Sequence, residues 1–371
     1  MEQGGLVLLR QSEGIGVAVV GVGYWGSRHV RVLRSTTGVE TVIGVDERFT
    51  GDAGHPELAD CDVAGYADLD AALPEVDAVI IATPPSSHYT LGLQAIGAGK
   101  HVLIEKPLAT SLSEARALVA AAEAAGTMLM TGHTFLYNAA VHKLRDVVQD
   151  ELGKLYYLDC ERLNLGLYQS DVNVVLDLAP HDISIANFVL NSRPTAVTAW
   201  GSRYVHPKYE DVAYLRLDYT DVGVAANIHL SWLNPHKVRR ITAVGSKKMV
   251  VYDEMASDER IRVYDKFAMS PQESSGPLSR VAYHFGDVVS PFIDFTEPLA
   301  LQDQDFVNCA IDGRAPAING HHGLAVVEVL ECAQISLLER RPVAVAEVEA
   351  FGEKKVLAGT RITQPGLLTG P

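Results

Sequence analysis

The sequence predicts an α/β chain in which an N-terminal doubly wound parallel sheet precedes an α+β domain with a large, mainly antiparallel open sheet. Short apolar runs alternate with helical stretches as far as about residue 134. A Gly-Val-Gly-Tyr-Trp-Gly turn at 21 to 26 joins the first run to the first helix. Beyond Thr134, strand-like pieces follow one another with few helical crossovers. Strict alternation argues for helices on both faces of a parallel sheet, and successive strands for an antiparallel one. At 371 residues the chain also exceeds the size one core usually serves. The expected division is an extension at 1–14, a nucleotide-binding domain at 15–134, a substrate and oligomerisation domain at 135–345 and a C-terminal segment at 346–371.

Ile15 to Val20 has the length and apolarity of a buried parallel strand, WGSRHVRVLRS can follow it as a helix, and TVIGVD at 41 to 46 is a second strand ending in Asp46. DAVIIATPP at 77 to 85, a helix from about His88 to Ala98, and HVLIEKP at 101 to 107 continue the alternation. Ser111 and Glu114 form a capping box for a helix that lines up Ala115, Leu118, Val119 and Ala122, and a strand follows at 127 to 131. A helix carrying Val141, Leu144 and Val148 then leads into strands at 154–163, 195–203, 211–219 and 222–232, and the run continues through residue 254. Residues 300 to 340 return to helix; the aliphatic stripe of GLAVVEVLECAQISLLE is read as core.

The 31 Lys and Arg against 46 Asp and Glu give a formal charge of -15, and no basic run interleaves with aromatics, so a nucleic-acid partner is not expected. Neither a secretory leader nor a membrane span is legible, and cytoplasm is the expected location. Cys61, Cys160, Cys309 and Cys332 are far apart, which suits reduced thiols. His181 with Asp182 and His321 with His322 are adjacent pairs that do not share a helix face, so no metal is expected. No GxSxG elbow is present.

Gly21 suits a tight turn, Gly23 leaves room for a pyrophosphate, and Gly26 permits close helix–strand packing; Tyr24 and Trp25 stand between them. In this Rossmann setting, amides at the helix start can face phosphate oxygens. Asp46, 20 residues beyond Gly26, is placed to accept from ribose hydroxyls, which favours NAD over NADP, although Arg48 lies beside it. Ala82, Thr83 and Pro84 end the third strand of the alternation at the same sheet edge; His88 has either cofactor contact or helix-start packing open to it.

Lys106 follows HVLIE at the edge expected to face a nicotinamide. Partial burial there would lower its pKa, and its charged form can stabilise a developing alkoxide, with Glu105 orienting or tuning the amine. Pro107 constrains the backbone. In DLAPHD at 177 to 182, Asp177 and His181 share a face if the segment is helical, with Pro180 suited to an opening turn. From spacing alone the pair serves as catalytic groups or, slightly more readily, as a helix-start or domain-interface feature.

Together GVGYWG at 21 to 26, ATPPSSH at 82 to 88, AGKHVLIEKP at 98 to 107, GHTFLYN at 132 to 138 and DLAPHD at 177 to 182 resemble the Gfo/Idh/MocA oxidoreductase family, over roughly residues 15 to 340. The resemblance implies that Lys106, Asp177 and His181 form a catalytic trio: His181 accepts a hydroxyl proton, Lys106 stabilises the reacting oxygen, and Asp177 orients substrate and imidazole. Some family members use the lysine as the acid–base group instead. The family's Asp-x-Gly-x-His differs here at Ala179, a residue with less backbone freedom than glycine.

Such a chain would move a hydride between NAD and a hydroxyl-bearing or keto carbon of a small sugar or nucleotide sugar. RLNLG followed by DVNVVLDLAPHDIS most resembles branches acting at C3 of nucleotide-linked amino sugars. Tyr137, Asn138, Arg162, Asn164 and Asn173 are substrate-contact candidates, Arg162 for a diphosphate, and ordinary hydrogen bonding is the competing role for each. The family also implies a homodimer or homotetramer. A cyclitol dehydrogenase or deoxysugar ketoreductase is the alternative enzyme, and an NAD-binding regulatory or scaffold protein the alternative outside enzymes.

Overall fold

The computed structural model describes residues 14–49, 63–166, 168, 172–205, 207–269 and 281–348. β1 (Ile15–Val20), β2 (Val39–Val45), β3 (Ala64–Tyr66), β4 (Ala78–Ile81), β5 (His101–Glu105) and β6 (Leu129–Gly132) form one sheet in the order β3-β2-β1-β4-β5-β6. Every pairing in it is parallel. β1 and β4 are wholly buried, as strands covered by helices on both faces must be. The covering helices include α1 (Tyr24–Leu33), the short α2 (Leu69–Ala72), α3 (Pro85–Gly97) and α4 (Leu112–Ala125). The strand order reverses between β1 and β4, so the loops after these strands diverge and leave a crevice at their carboxyl ends.

Local signals set the helix ends. Pro85 occupies the first position of α3, where its missing N–H costs nothing, and starts that helix before His88. Ser111 caps α4 by accepting from the Glu114 amide, and Gly126 ends it in the left-handed region. The capping box is only half formed, because the Glu114 carboxylate accepts from the Thr110 hydroxyl. Ala115, Leu118, Val119 and Ala122 face the core as predicted.

A second sheet has the order β14-β13-β12-β11-β7-β10-β9-β8-β15. It contains β7 (Leu155–Leu165), β8 (Ala196–Ser202), β9 (Val212–Tyr219), β10 (Val224–Ser231), β11 (Leu233–Gly245), β12 (Met249–Asp253), β13 (Ile261–Met269), β14 (Ala282–Val289) and β15 (Val343–Ala344). Only the β10–β7 pairing is parallel. Alternate residues of β9 are buried, so the sheet has one covered and one open face. α5 (Ala139–Asp150), α6 (Val174–Leu190) and α8 (Gly320–Glu339) pack on the covered face. On the open face Trp200, Tyr214 and His229 stack in a row, with ring centroids 5.3 and 4.2 Å apart. α7 (Pro298–Asp312) returns to pack against α1, and α8 also touches β6 and α4, so C-terminal helices brace the first sheet. Cys160, Cys309 and Cys332 are buried free thiols; Cys61 lies outside the described residues. No helix among the described residues is long and apolar enough to cross a membrane.

Close contact between α1 and β1 constrains the glycine turn. Gly21 adopts φ +84°, and a Cβ there would lie 2.6 Å from the Thr83 side chain; at Gly26 it would lie 2.0 Å from the Gly21 carbonyl oxygen. Gly23 has nothing within 4 Å of that position. Gly26→Ala is therefore expected to cost about 3 kcal/mol, whereas Gly23→Ala leaves folding stability nearly unchanged. Urea denaturation of the two variants checks the contrast, and equal midpoints would contradict the packing argument.

Candidate active site

The crevice has two connected parts, with Ala82, Thr83 and Ser86 lining both. The first, about 600 Å³, is walled by Gly21, Gly23, Asp46, Arg48, Thr83 and Pro84. α1 begins here without a side-chain cap, so its first amides remain available to an anion. The Asp46 carboxylate accepts from the Val22 amide at 2.9 Å, and Arg48 donates to both its oxygens, at 2.7 and 2.8 Å. Arg48, aided by the Val22 amide, holds this carboxyl down to about 2, so it is ionised and able to accept.

The second part, about 400 Å³, is lined by Trp25, Glu105, Lys106, Pro107, Leu176 and Asp177 among others. β5 delivers Lys106, and the Lys106–Pro107 peptide is cis. The Lys106 amine donates to the Asp177 backbone carbonyl at 3.2 Å. The Asp177 side chain accepts from the Trp232 indole at 3.1 Å. Burial lowers the basicity of Lys106, with the Asp177 and Glu105 carboxylates opposing it. His181 stands one turn along α6, outside the lining of this part, edge-to-face against Phe135 at 5.0 Å between ring centroids. Its Nδ1 has no hydrogen-bond partner among the described residues. Burial, then the charges of Lys106, Arg162 and Arg239, push its pKa well below the ordinary histidine value, so the ring is neutral at pH 7. A neutral imidazole can take a proton, and a neighbouring amine can donate a hydrogen bond to the oxygen that releases it.

α6 differs from its sequence reading. It starts at Val174, capped by the Asn173 side chain, so Pro180 lies inside the helix instead of in its opening turn. Proline has no N–H, so the helical bond to the Leu176 carbonyl cannot form. Farther along, Asp182 accepts two hydrogen bonds from Arg162, at 2.7 and 3.1 Å, in a buried ion pair that ties α6 to β7.

The structure also joins residues that sequence reasoning did not connect. His29, fully buried on α1, places Nε2 3.1 Å from Glu105 and Nδ1 2.9 Å from Asp303 of α7. Burial opposes charge on His29, but the two carboxylates outweigh it and raise its pKa to about 10. Glu105 is likewise pushed up by burial and held below its usual range by His29 and Lys106. The Lys106 backbone amide donates to Glu105 at 3.1 Å, so this cluster adjoins the lysine directly. The only sequence signal was a histidine on the buried face of a predicted helix.

Other predicted residues have different duties. His88 is fully buried, with ring nitrogens 2.8 Å from the Pro107 carbonyl and 2.9 Å from the Thr83 carbonyl, so it clasps the loop carrying Thr83 to the lysine loop without lining either part of the crevice. Tyr24 is exposed and lies under the Arg28 guanidinium. Tyr137 donates to Asp305, while Asn138 and Asn173 cap α5 and α6. The buried Arg162 is already matched by Asp182 and is not a free cation for a diphosphate. Asn164 keeps a buried Oδ1 with no hydrogen-bond partner among the described residues. None of these five substrate candidates lines the crevice.

Comparison with known proteins decides the family. Residues 15–133 match the Gfo/Idh/MocA oxidoreductase family with its NAD-binding Rossmann fold, and residues 141–251 match the Gfo/Idh/MocA C-terminal domain. The chain belongs to the Gfo/Idh/MocA family. It is 31% identical to a UDP-N-acetylglucosamine 3-dehydrogenase of Acidithiobacillus ferrooxidans over 225 residues, 60% of this chain and 69% of that protein. An inositol 2-dehydrogenase of Rhizobium meliloti is 23% identical over 343 residues, 88% of this chain and 98% of that one. Among solved structures, GenD2 from gentamicin A biosynthesis in complex with NAD superposes with TM-score 0.74 at 26% identity, covering 90% of this chain and 96% of that one. The UDP-N-acetylglucosamine 3-dehydrogenase structure gives TM-score 0.71 at 25% identity, covering 87% and 97%. Like its family, this chain is an NAD-dependent oxidoreductase, and its glycine turn and ionised Asp46 suit that cofactor.

The His29 cluster makes stability depend on alkaline pH. A raised imidazole pKa stabilises the fold fully below its unfolded value of 6.5, and that contribution is lost as pH rises through about 10. Between these limits, wild-type unfolding free energy should fall more steeply than that of His29→Gln, by up to roughly 1.4 kcal/mol per pH unit. Denaturant titrations at pH 7, 8.5 and 10 measure both slopes; parallel slopes would show that His29 is not the titrating group.

Proposed function

We propose that this chain transfers a hydride between NAD and a secondary alcohol or ketone carbon of a sugar, C3 of a nucleotide-linked amino sugar being the preferred assignment. The observation that carries the reaction type is the amine of Lys106 hydrogen-bonded to α6 at Asp177, in the part of the crevice next to the nucleotide cleft. The amino-sugar assignment rests on similarity to the UDP-N-acetylglucosamine 3-dehydrogenase in sequence and fold.

Gly21 and Gly23 with the start of α1 would hold the pyrophosphate, Gly26 letting that helix pack close to β1, and Asp46 would hold the adenosine ribose. Trp25, Arg48, Ala82, Thr83, Pro84, Glu105 and Lys106 border that path, Tyr24 stands exposed at the start of α1 beside it, and His88 acts on it through the Thr83 and Pro107 carbonyls. When bound, NAD supplies the hydride acceptor. In the oxidative direction His181 Nε2 accepts the substrate hydroxyl proton, the Lys106 ammonium stabilises the oxygen as it becomes a carbonyl, and Asp177, whose backbone carbonyl holds the Lys106 amine, orients substrate and imidazole. Burial and the nearby cations keep the His181 ring neutral, so a ring nitrogen has a lone pair for the proton, which so weak a base then holds only loosely. The reverse reaction would reduce a keto sugar using the same groups. The open, aromatic-lined face of the second sheet supports assembly as a homodimer or homotetramer.

Lys106→Ala and His181→Ala are each expected to slow single-turnover hydride transfer about 10²- to 10⁴-fold while NAD still binds. Wild-type rates in both would reject the chemical assignment. A panel of nucleotide amino sugars, inositols and deoxyketosugars, followed by identification of the altered carbon, tests the substrate; turnover of inositol alone would replace the amino-sugar reading with a cyclitol one. Asp46→Ala should weaken NAD binding and narrow the NAD over NADP preference by freeing Arg48 for a 2′-phosphate. Comparative titration measures this, and an unchanged preference would remove Asp46 from the cofactor site.

A further inference from the structure

A pocket of about 380 Å³ lies between α5, α6 and α8, and none of its lining residues borders the nucleotide or lysine cleft. Its lining includes the side chains of His133, Arg145, Asn187, Arg193 and His322 and contains no carboxylate. In a chain whose formal charge is -15, this lining stands out: it holds two guanidiniums, Arg145 and Arg193, beside the N–H donors of Asn187 and of two imidazoles, His133 and His322, that burial keeps neutral. We infer that this pocket binds the oxyanion of a small phosphate- or carboxylate-bearing molecule.

His133 carries the argument. It is 1% exposed, and neither of its ring nitrogens has a hydrogen-bond partner among the described residues. An imidazole always presents at least one N–H, and a buried donor without an acceptor is costly, so its position calls for an acceptor in the pocket. Nearer the mouth, the exposed Arg193 guanidinium has no hydrogen-bond or ion-pair partner among the described residues. Arg145 lies over the Phe188 ring at 4.8 Å and pairs with Asp146, which engages only part of its planar fork.

The remaining donors are similarly available. Asn187 uses Oδ1 to accept from the Tyr219 hydroxyl, which leaves its amide hydrogens. His322 uses Nδ1 on the Asn319 side chain, which leaves Nε2. Three carboxylates among the described residues adjoin the lining and each has a partner: Asp146 pairs with Arg145, Asp221 accepts from the Ser192 hydroxyl, and Glu105, which faces His133, is held by His29 and the Lys106 amide. The pocket exceeds the needs of a lone inorganic ion and is of the size that takes a small metabolite. Its floor meets the active-site helix, since the Ser184 hydroxyl in its lining donates to the His181 carbonyl at 2.8 Å.

The test is calorimetric titration of the full chain saturated with NAD, which fills the dinucleotide phosphate site, in a chloride buffer. Inorganic phosphate and citrate are the two probes. Tighter binding of phosphate assigns a phosphate-bearing ligand, and tighter binding of citrate a carboxylate one. Arg193→Ala should weaken the preferred probe about tenfold or more with NAD affinity and melting temperature unchanged, and Arg145→Ala should act in the same direction. His133→Phe should also reduce binding; if that buried variant does not fold, the two arginine variants decide. No heat above a matched chloride injection for either probe, or wild-type affinity in both arginine variants, would overturn the inference.

Discussion

Charge on one buried imidazole joins three parts of the molecule that chemistry requires to be in register. His29 belongs to the helix that begins at the glycine turn, Glu105 ends the strand that delivers Lys106, and Asp303 comes from a C-terminal helix. An uncompensated charge at any of these positions would be expensive in so dry a place, so the three elements must close together or not at all. The lysine thereby inherits its position from a contact spanning 274 residues of chain.

α6 supplies the second half of the arrangement. Its first turns present Asp177 to Lys106 and to the Trp232 indole, and its middle is fastened to the second sheet through Arg162 and Asp182. The side chain of Asn173 satisfies its N-terminus, while Asn191 closes its other end in the left-handed region. A buried ion pair is weak evidence of net stabilisation, but it fixes orientation strictly because neither member tolerates separation.

Much of this was legible in the sequence. The parallel sheet was readable because buried strands are short and uniformly apolar, and because Ser111 and the glycine turn punctuate them. Lys106 and Asp177 were marked by the motifs around them, and the structure brings them into contact. Four strands were overlooked: β3 has only three residues and β15 only two, and β13 and β14 form one margin of the second sheet, where mixed burial blurs the two-residue period. The extent of α6 was missed because Pro180 is a helix-opening signal in isolation. Polar residues of the RLNLG and DVNVV segments looked like ligand contacts, yet Arg162 and Asn173 satisfy protein groups. A sequence gives the hydrogen-bonding capacity of a side chain but not which partner reaches it first. No local pattern could have linked His29 to Asp303.

The proline within α6 has a mechanical consequence. By removing the amide that would tie residue 180 back to Leu176, it deletes one rung between the turn facing the crevice and the portion bolted to the sheet. The front turn is thus less rigidly slaved to the anchor behind it. Asp177, which meets Lys106, lies on the crevice side of that missing rung, and Asp182, which holds Arg162, lies beyond it.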